Sequence, residues 1–206
     1  MKFDAPSVRL GDMDSLYFLS AARSAVGLIR NGNEDGALTH PQLIAVADGM
    51  GGHAGGEIAS AIALEILARR ATIFTDAEID KDSADDYFNS TIDEIDSALK
   101  LASDDDPALS GLGTTLTALF IRDNQAVLLH VGDSRAYRIR GAAIEQLSVD
   151  HTVMQELLSA GTITQADIAE HPQRSMLTQA LMGSQTLSIG LHLFRLHFFM
   201  LCHHSF

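Results

Sequence analysis

Ala45-Val46-Ala47-Asp48-Gly49-Met50-Gly51-Gly52-His53-Ala54-Gly55-Gly56-Glu57 runs from an apolar strand, through a carboxylate and a glycine-rich turn, into a helix. An aspartate at the end of a buried strand is costly unless it holds a cation. Leu43 to Ala47 is a short apolar run between Pro41 and Gly49, which predicts that buried strand. From Glu57 to Arg70, Ile58, Ile62 and Ile66 recur four apart, with Ala59, Ala63 and Leu67 beside them. That spacing predicts an amphipathic helix, and Arg69-Arg70 suit its negative end.

Working outward, Leu16 to Phe18 and Ala25 to Ile29 read as early strands, and Asn31 to Gly36 as a turn cluster. Thr75-Asp76-Ala77-Glu78 has the form of a capping box. A second helix is expected through Ile92, Ile95 and Leu99 to Lys100, broken at Asp104-Asp105-Asp106-Pro107. The pattern then switches to strands. Thr115 to Ile121 and Ala126 to Val131 flank Asp123-Asn124 as a hairpin, and Ala136 to Ile139 and Ala143 to Leu147 flank Gly141. Thr152 to Ala160 reads as a short helix closed by Gly161, and Thr164-Gln165-Ala166-Asp167 starts another. Segregated runs of strands and helices argue for an α+β fold.

The 206 residues suffice for one sizeable core, so a single domain over residues 1–206 is expected. The net charge of −13 argues against nucleic acid or an anionic membrane as the main partner. Cys202 is the one cysteine, which fits a reducing, cytoplasmic compartment. No uncharged apolar run approaches the ~20 residues of a membrane span.

Three acidic turns stand at strand ends: Asn33-Glu34-Asp35, Asp48-Gly49 and Gly132-Asp133-Ser134-Arg135. Oxygen ligands there suit hard cations such as Mg²⁺ or Mn²⁺, which acidify bound water into a nucleophile. Any one such turn is commonplace, because Asp and Gly are ordinary turn residues. Other readings of the glycine run fail on the residues. A P-loop needs lysine where Glu57 stands, and a dinucleotide fingerprint needs an acid where Arg69 and Arg70 stand. A cysteine phosphatase needs an arginine shortly after its cysteine, and none follows Cys202.

Together the stretches Arg30 to Asp35, Val46 to His53 with Gly56-Glu57, Gly113 to Thr117, His130 to Tyr137, Leu147 to Thr152 and Leu177 to Leu181 form an ordered set. In it the chain resembles the metal-dependent protein phosphatases, the PPM or type 2C serine/threonine phosphatases, in their compact bacterial form. The resemblance implies a four-layer α-β-β-α sandwich of two antiparallel sheets flanked by helices. It implies hydrolysis of phosphoserine and phosphothreonine in proteins by a metal-activated water. It also implies Mn²⁺ or Mg²⁺ as cofactor, two ions with a possible third, and a serine/threonine kinase as a further partner.

On this resemblance Asp48 bridges the metals and the Gly49 carbonyl binds one of them. Asp35, with Glu34, holds metal-bound waters, and Asp133 helps bind the third ion. Arg30 grips the phosphate, as a bidentate guanidinium can. Animal members place a histidine directly after the Asp-Gly pair. Here Met50 stands there, so that role does not carry over. His53 is read as structural, Thr114 and Thr115 as strand packing, Ser134 as a turn hydroxyl, and Asp150-His151 as a cap and a packing contact.

The chain also departs from the family. Two late metal-binding carboxylates are expected, in a Ser-Asp-Gly turn and in an Asp-Asn pair. No Asp or Glu follows Glu170. Leu191 to His197 still resembles the strand leading to the missing turn, and residues 198–206 then diverge. The expectation is a truncated or frameshifted end with the last strands missing. The alternative function is therefore a catalytically impaired pseudophosphatase or phosphoprotein-binding remnant. His171, His192, His197, His203 and His204 fall in the last part of the chain, and imidazole binds Mn²⁺ and Zn²⁺, but nothing in the sequence fixes them near Asp48.

Overall fold

Side-chain alternation along three neighbouring strands decides how the molecule is layered. The structure is a computed structural model that describes residues 16–26, 32–74, 81–122, 125–183, 191–195 and 198–202. In chain order its elements are β1 (Asp35–His40), β2 (Leu43–Met50), α1 (His53–Phe74), α2 (Lys81–Asp105), β3 (Gly113–Thr114), β4 (Leu116–Arg122), β5 (Gln125–Val131), β6 (Arg135–Arg140), β7 (Ala143–Gln146), α3 (Val153–Ser159), β8 (Leu191–Arg195) and β9 (Phe198–Cys202). Short 3-10 turns cover Pro107–Leu109 and Gln165–Glu170. One sheet has the order β1-β2-β4-β5-β8 with β3 paired to β2, and a second has the order β7-β6-β9. All the pairings between these strands are antiparallel.

On the larger sheet Leu43, Ala45 and Ala47 of β2, Leu116, Ala118 and Phe120 of β4, and Val127, Leu129 and Val131 of β5 share one core with the two long helices. α1 supplies Ala59, Ala63, Ile66, Leu67 and Ala71, and α2 supplies Phe88, Ile92, Ile95 and Leu99. Each large side chain buried this way contributes about 1.5–3 kcal/mol. The residues between them point the other way, as a period of two requires. There Leu119, Ala126 and Leu128 meet Ala136 and Leu147 of the smaller-sheet region, with Phe18 and Ile44 against them. The α+β fold with two antiparallel sheets is thus the observed one.

Several expectations are corrected. Leu16 to Phe18 forms no strand; Phe18 instead donates one backbone hydrogen bond to Pro41 at 2.6 Å and packs into the inter-sheet cluster. Ala25 and Val26 are not strand either, and the rest of that expected strand lies outside the described residues. The turn cluster at Asn31 to Gly36 ends sooner than read, because Asp35 and Gly36 already pair with Asp48 and Ala47 in β1. The β1 strand as a whole was not foreseen. The Thr75 capping box and the Asp123-Asn124 turn fall outside the described residues, although Arg122 and Gln125 pair as a two-residue hairpin demands.

α1 begins four residues before Glu57 and runs on to Phe74, so Arg69 and Arg70 do not occupy its last turn. They bind α2 instead. Arg69 reaches Glu94 at 3.1 Å, and Arg70 pairs with Glu94 and lies over the Tyr87 ring, 5.2 Å from its centroid. One residue departs from the expected face of α1, whose Ala59, Ile62, Ala63, Ile66 and Leu67 all pack in or against the core. Ile58 is 37% exposed, while Ala59 and Ala63 are fully buried. Alanines on α1 facing Ala45 and Ala47 of β2 let helix and sheet approach closely, which a bulky Ile58 would prevent. α2 continues to Asp105, past the expected break, and Asp106 caps the following turn by accepting from the Ala108 amide at 2.9 Å.

The described part of the divergent tail joins the fold. Phe198–Cys202 pairs along β6, from Ile139↔Phe198 to Arg135↔Cys202, while the preceding β8 pairs with β5 in the other sheet. The expected helix from Thr152 to Ala160 is present as α3, but the cap falls on Thr152 and not on Asp150: the Thr152 hydroxyl accepts from the Gln155 amide at 3.1 Å.

Candidate functional site

Asp48 follows Leu43, Ala45 and Ala47 on β2, so alternation turns it away from the helices and onto the inter-sheet face. Asp35 is its direct partner across the β1–β2 ladder. Directly opposed residues of an antiparallel pair share a face. Two carboxylates therefore stand side by side at one end of the sheet.

Two glycines make that arrangement possible. A Cβ on Gly49 would lie 1.9 Å from the Gly56 carbonyl oxygen and 2.8 Å from that of Glu34. A Cβ on Gly56 would lie 2.0 Å from Glu34 Oε2. The Asn33-Glu34 turn, the end of β2 and the first turns of α1 thus meet at points where only glycine fits. The Glu34 carbonyl accepts from the Gly49 amide at 3.2 Å and from the Ser60 hydroxyl at 2.7 Å. Glu34 ties the turn before Asp35 to the residue after Asp48.

The other side of Asp48 is held by hydroxyls. Its amide donates to Thr115 Oγ1 at 3.0 Å, and its carbonyl accepts from the Thr115 amide at 2.9 Å and from the Thr114 hydroxyl at 3.0 Å. Thr115 Oγ1 lies 2.8 Å from Ser134 Oγ, next to Asp133 in the turn between β5 and β6. Thr117 donates to the Ser134 carbonyl at 2.6 Å and lies 2.9 Å from His130 Nδ1. Thr115, Thr117 and Ser134 are all fully buried. This polar layer continues the apolar inter-sheet cluster toward the carboxylate end.

The donors present are carboxylate and carbonyl oxygens, a set that suits Mg²⁺ or Mn²⁺ and the waters such ions keep. Among the described residues no group of three or more His, Cys, Asp or Glu side chains gathers as a ready-made metal site. Arg30 lies outside the described residues, and nothing is described of the His53 side chain.

The family model for protein phosphatase 2C matches residues 34–183. The chain belongs to the protein phosphatase 2C family. It is 38% identical over 175 residues to the serine/threonine protein phosphatase PstP of Mycobacterium tuberculosis, covering 83% of this chain and 32% of that protein. It is 35% identical over 164 residues to the serine/threonine phosphatase Stp of Listeria monocytogenes, covering 77% of this chain and 65% of that protein. The chain therefore spans about a third of the first relative and about two thirds of the second. The solved catalytic domain of PstP in complex with two manganese ions superposes with a TM-score of 0.71 at 35% identity, covering 85% of this chain and 72% of that one.

Within this type 2C domain the expectations for Ser134 and Asp150 are enlarged. Arg135 Nε donates to both Asp150 oxygens at 2.9 Å, and Gln146 Nε2 donates to Asp150 Oδ1 at 3.1 Å. Asp150, only 8% exposed, is thus the anchor of the arginine that follows the Asp133 turn, rather than a cap. The carboxylate in turn pushes the Arg135 guanidinium further above its ordinary range. Sequence reading missed the Arg135–Asp150 pair. It also missed the use of Thr115 and Thr117, whose spacing of two in an otherwise apolar strand was the available signal. Asp150→Ala is expected to cost about 2–3 kcal/mol, less than a wholly buried pair because Arg135 is partly exposed. Urea denaturation of the variant at pH 7 measures it.

His130 and His151 stack with ring centroids 5.0 Å apart. The partners set the tautomers. His130 Nε2 donates to the Val149 carbonyl at 3.1 Å, and His151 Nδ1 accepts from the Gly132 amide at 3.1 Å. Burial, with His151 beside it, pushes His130 down to about 4, and burial also lowers His151. The unfolded chain therefore binds a proton near pH 6.5 that the folded chain refuses. Stability is complete above about pH 6.5 and falls as the pH drops toward 4, by on the order of 1 kcal/mol per pH unit from His130. Denaturation midpoints across that window check this, with a shallower slope expected in His130→Gln.

Proposed function

We propose that this chain hydrolyses phosphoserine and phosphothreonine in proteins, with Mn²⁺ or Mg²⁺ as cofactor, two ions and a looser third. The opposition of Asp35 and Asp48 on one face, beside a turn where only glycine fits, is the observation that carries the reading. The relatives being serine/threonine phosphatases, one of them solved with manganese, supports it. Bound, the cations supply Lewis acidity that makes water nucleophilic near neutral pH and offsets phosphate charge.

The chain's own residues supply the rest. Asp48 and the Gly49 carbonyl would hold the cations, the carboxylate supplying charge and the carbonyl a neutral donor. Asp35, with Glu34, orients water at the cations, and Asp133 offers a further carboxylate. Arg30 binds the phosphate with parallel N–H donors and orients it for in-line attack. The substrates are phosphoproteins, a serine/threonine kinase is the opposing partner, and the compartment is the cytoplasm. A single cysteine fits that compartment. Among the described residues no helix is long and apolar enough to cross a membrane.

Mn²⁺-dependent phosphate release from a small aryl phosphate or a phosphothreonine peptide tests the proposal. Release no greater than that of an Asp48→Ala control overturns it for this chain. A second reading is a phosphoprotein-binding domain with impaired turnover, motivated by residues 171–206 carrying no Asp or Glu. Tight binding of two Mn²⁺ ions in a calorimetric titration would contradict that second reading.

A further inference from the structure

We infer that Thr115 is a positioning residue for the cation-holding carboxylates, acting with Ser134 to fix Asp48 against the Asp133 turn. This rests on the phosphatase reading above.

Thr115 is fully buried, and both backbone polar groups of Asp48 end on it. The Asp48 amide donates to the Thr115 hydroxyl at 3.0 Å, and the Thr115 amide donates to the Asp48 carbonyl at 2.9 Å. The same hydroxyl lies 2.8 Å from Ser134 Oγ. Its methyl faces the residue on the other flank of Asp133. A Cβ on Gly132, where φ is +106°, would lie 2.5 Å from Thr115 Cγ2. One side chain therefore touches Asp48 directly and both neighbours of Asp133.

The hydroxyl has one proton and can accept two hydrogen bonds. Accepting from Asp48 and bonding Ser134 links the two strand ends through a single oxygen. If packing alone were the task, valine would serve, since it has the same shape. Valine would leave the Asp48 amide and the Ser134 hydroxyl to relax independently. The separation of the two carboxylates would then lose its spacer. Groups of this outer kind are typically worth 10–100-fold in metal affinity.

The test is calorimetric titration with MnCl₂ of the full chain and of Asp48→Asn, Thr115→Val, Thr115→Ser and Ser134→Ala, with melting temperatures recorded without metal. The expected result is Mn²⁺ binding that Asp48→Asn abolishes, that Thr115→Val weakens about tenfold or more, and that Thr115→Ser largely recovers. A purely structural threonine would lower the melting temperature without moving Mn²⁺ affinity measured well below it, and that outcome overturns the inference. If Thr115→Val does not fold, Ser134→Ala decides on the same criterion. Binding that Asp48→Asn abolishes and the hydroxyl variants leave unchanged overturns this inference alone. A parent chain that takes up no Mn²⁺ overturns it together with the cation reading.

Discussion

Gly49→Ala is expected to lose about 4 kcal/mol or more of stability, at the far end of what one methyl can do. The added Cβ would stand 1.9 Å from one backbone oxygen and 2.8 Å from another, and neither can swing aside as a side-chain tip could. Relief requires α1 to move off the end of β2, which exposes part of the helix–sheet core, and the Glu34 turn to shift, which strains the 3.2 Å Gly49–Glu34 hydrogen bond. Gly141→Ala is the control. Gly141 has φ +58° but nothing within 4 Å of a new Cβ, so only the backbone conformation is penalised, at about 1 kcal/mol. Urea denaturation of the two variants side by side measures the difference. A Gly49→Ala protein no less stable than Gly141→Ala would refute the close approach.

Asp48→Asn carries the largest expected effect on activity. Asparagine keeps the shape and the backbone bonds to Thr114 and Thr115 but offers cations no charge. Mn²⁺-dependent phosphate release should fall by more than the ~100-fold upper figure for losing an outer partner of a metal site. The metal-free melting temperature should barely change, because the bonds that hold Asp48 in place run through its amide and carbonyl. Phosphate release and thermal melting on one preparation separate the two effects. A parallel loss of stability would assign Asp48 to the fold instead.

The sequence was most legible where one period ran unbroken and one neighbour mattered. The β4–β5 hairpin, the β6–β7 hairpin and the short helix closed by Gly161 all satisfy local rules, and the structure has them. β1 was hidden because Asp35-Gly36 looks like a turn; only pairing with Asp48 and Ala47 makes it a strand. The face of α1 was read correctly except at Ile58, which hydrophobicity favours but which the structure leaves 37% exposed. Asp48, Asp35 and Asp133 were readable as acids at strand ends. The hydroxyl layer beneath them was not, since Thr115, Ser134 and Asp150 acquire partners 15 to 67 positions away.

The place of β1 in the sheet bears on how tightly a cation can be held. It forms the outer edge, pairs only with β2 among the described strands, and contributes no residue to the fully buried core. Edge segments with little buried surface open at low free energy. Asp35 therefore rides on a strand that can undock while Asp48 stays fixed by Thr114 and Thr115. A cation at Asp48 whose waters Asp35 holds would bind with the intrinsic affinity scaled by the docked fraction of β1. Conversely, such a cation would staple that margin shut, so occupancy and the local melting of β1 would be two readings of one equilibrium.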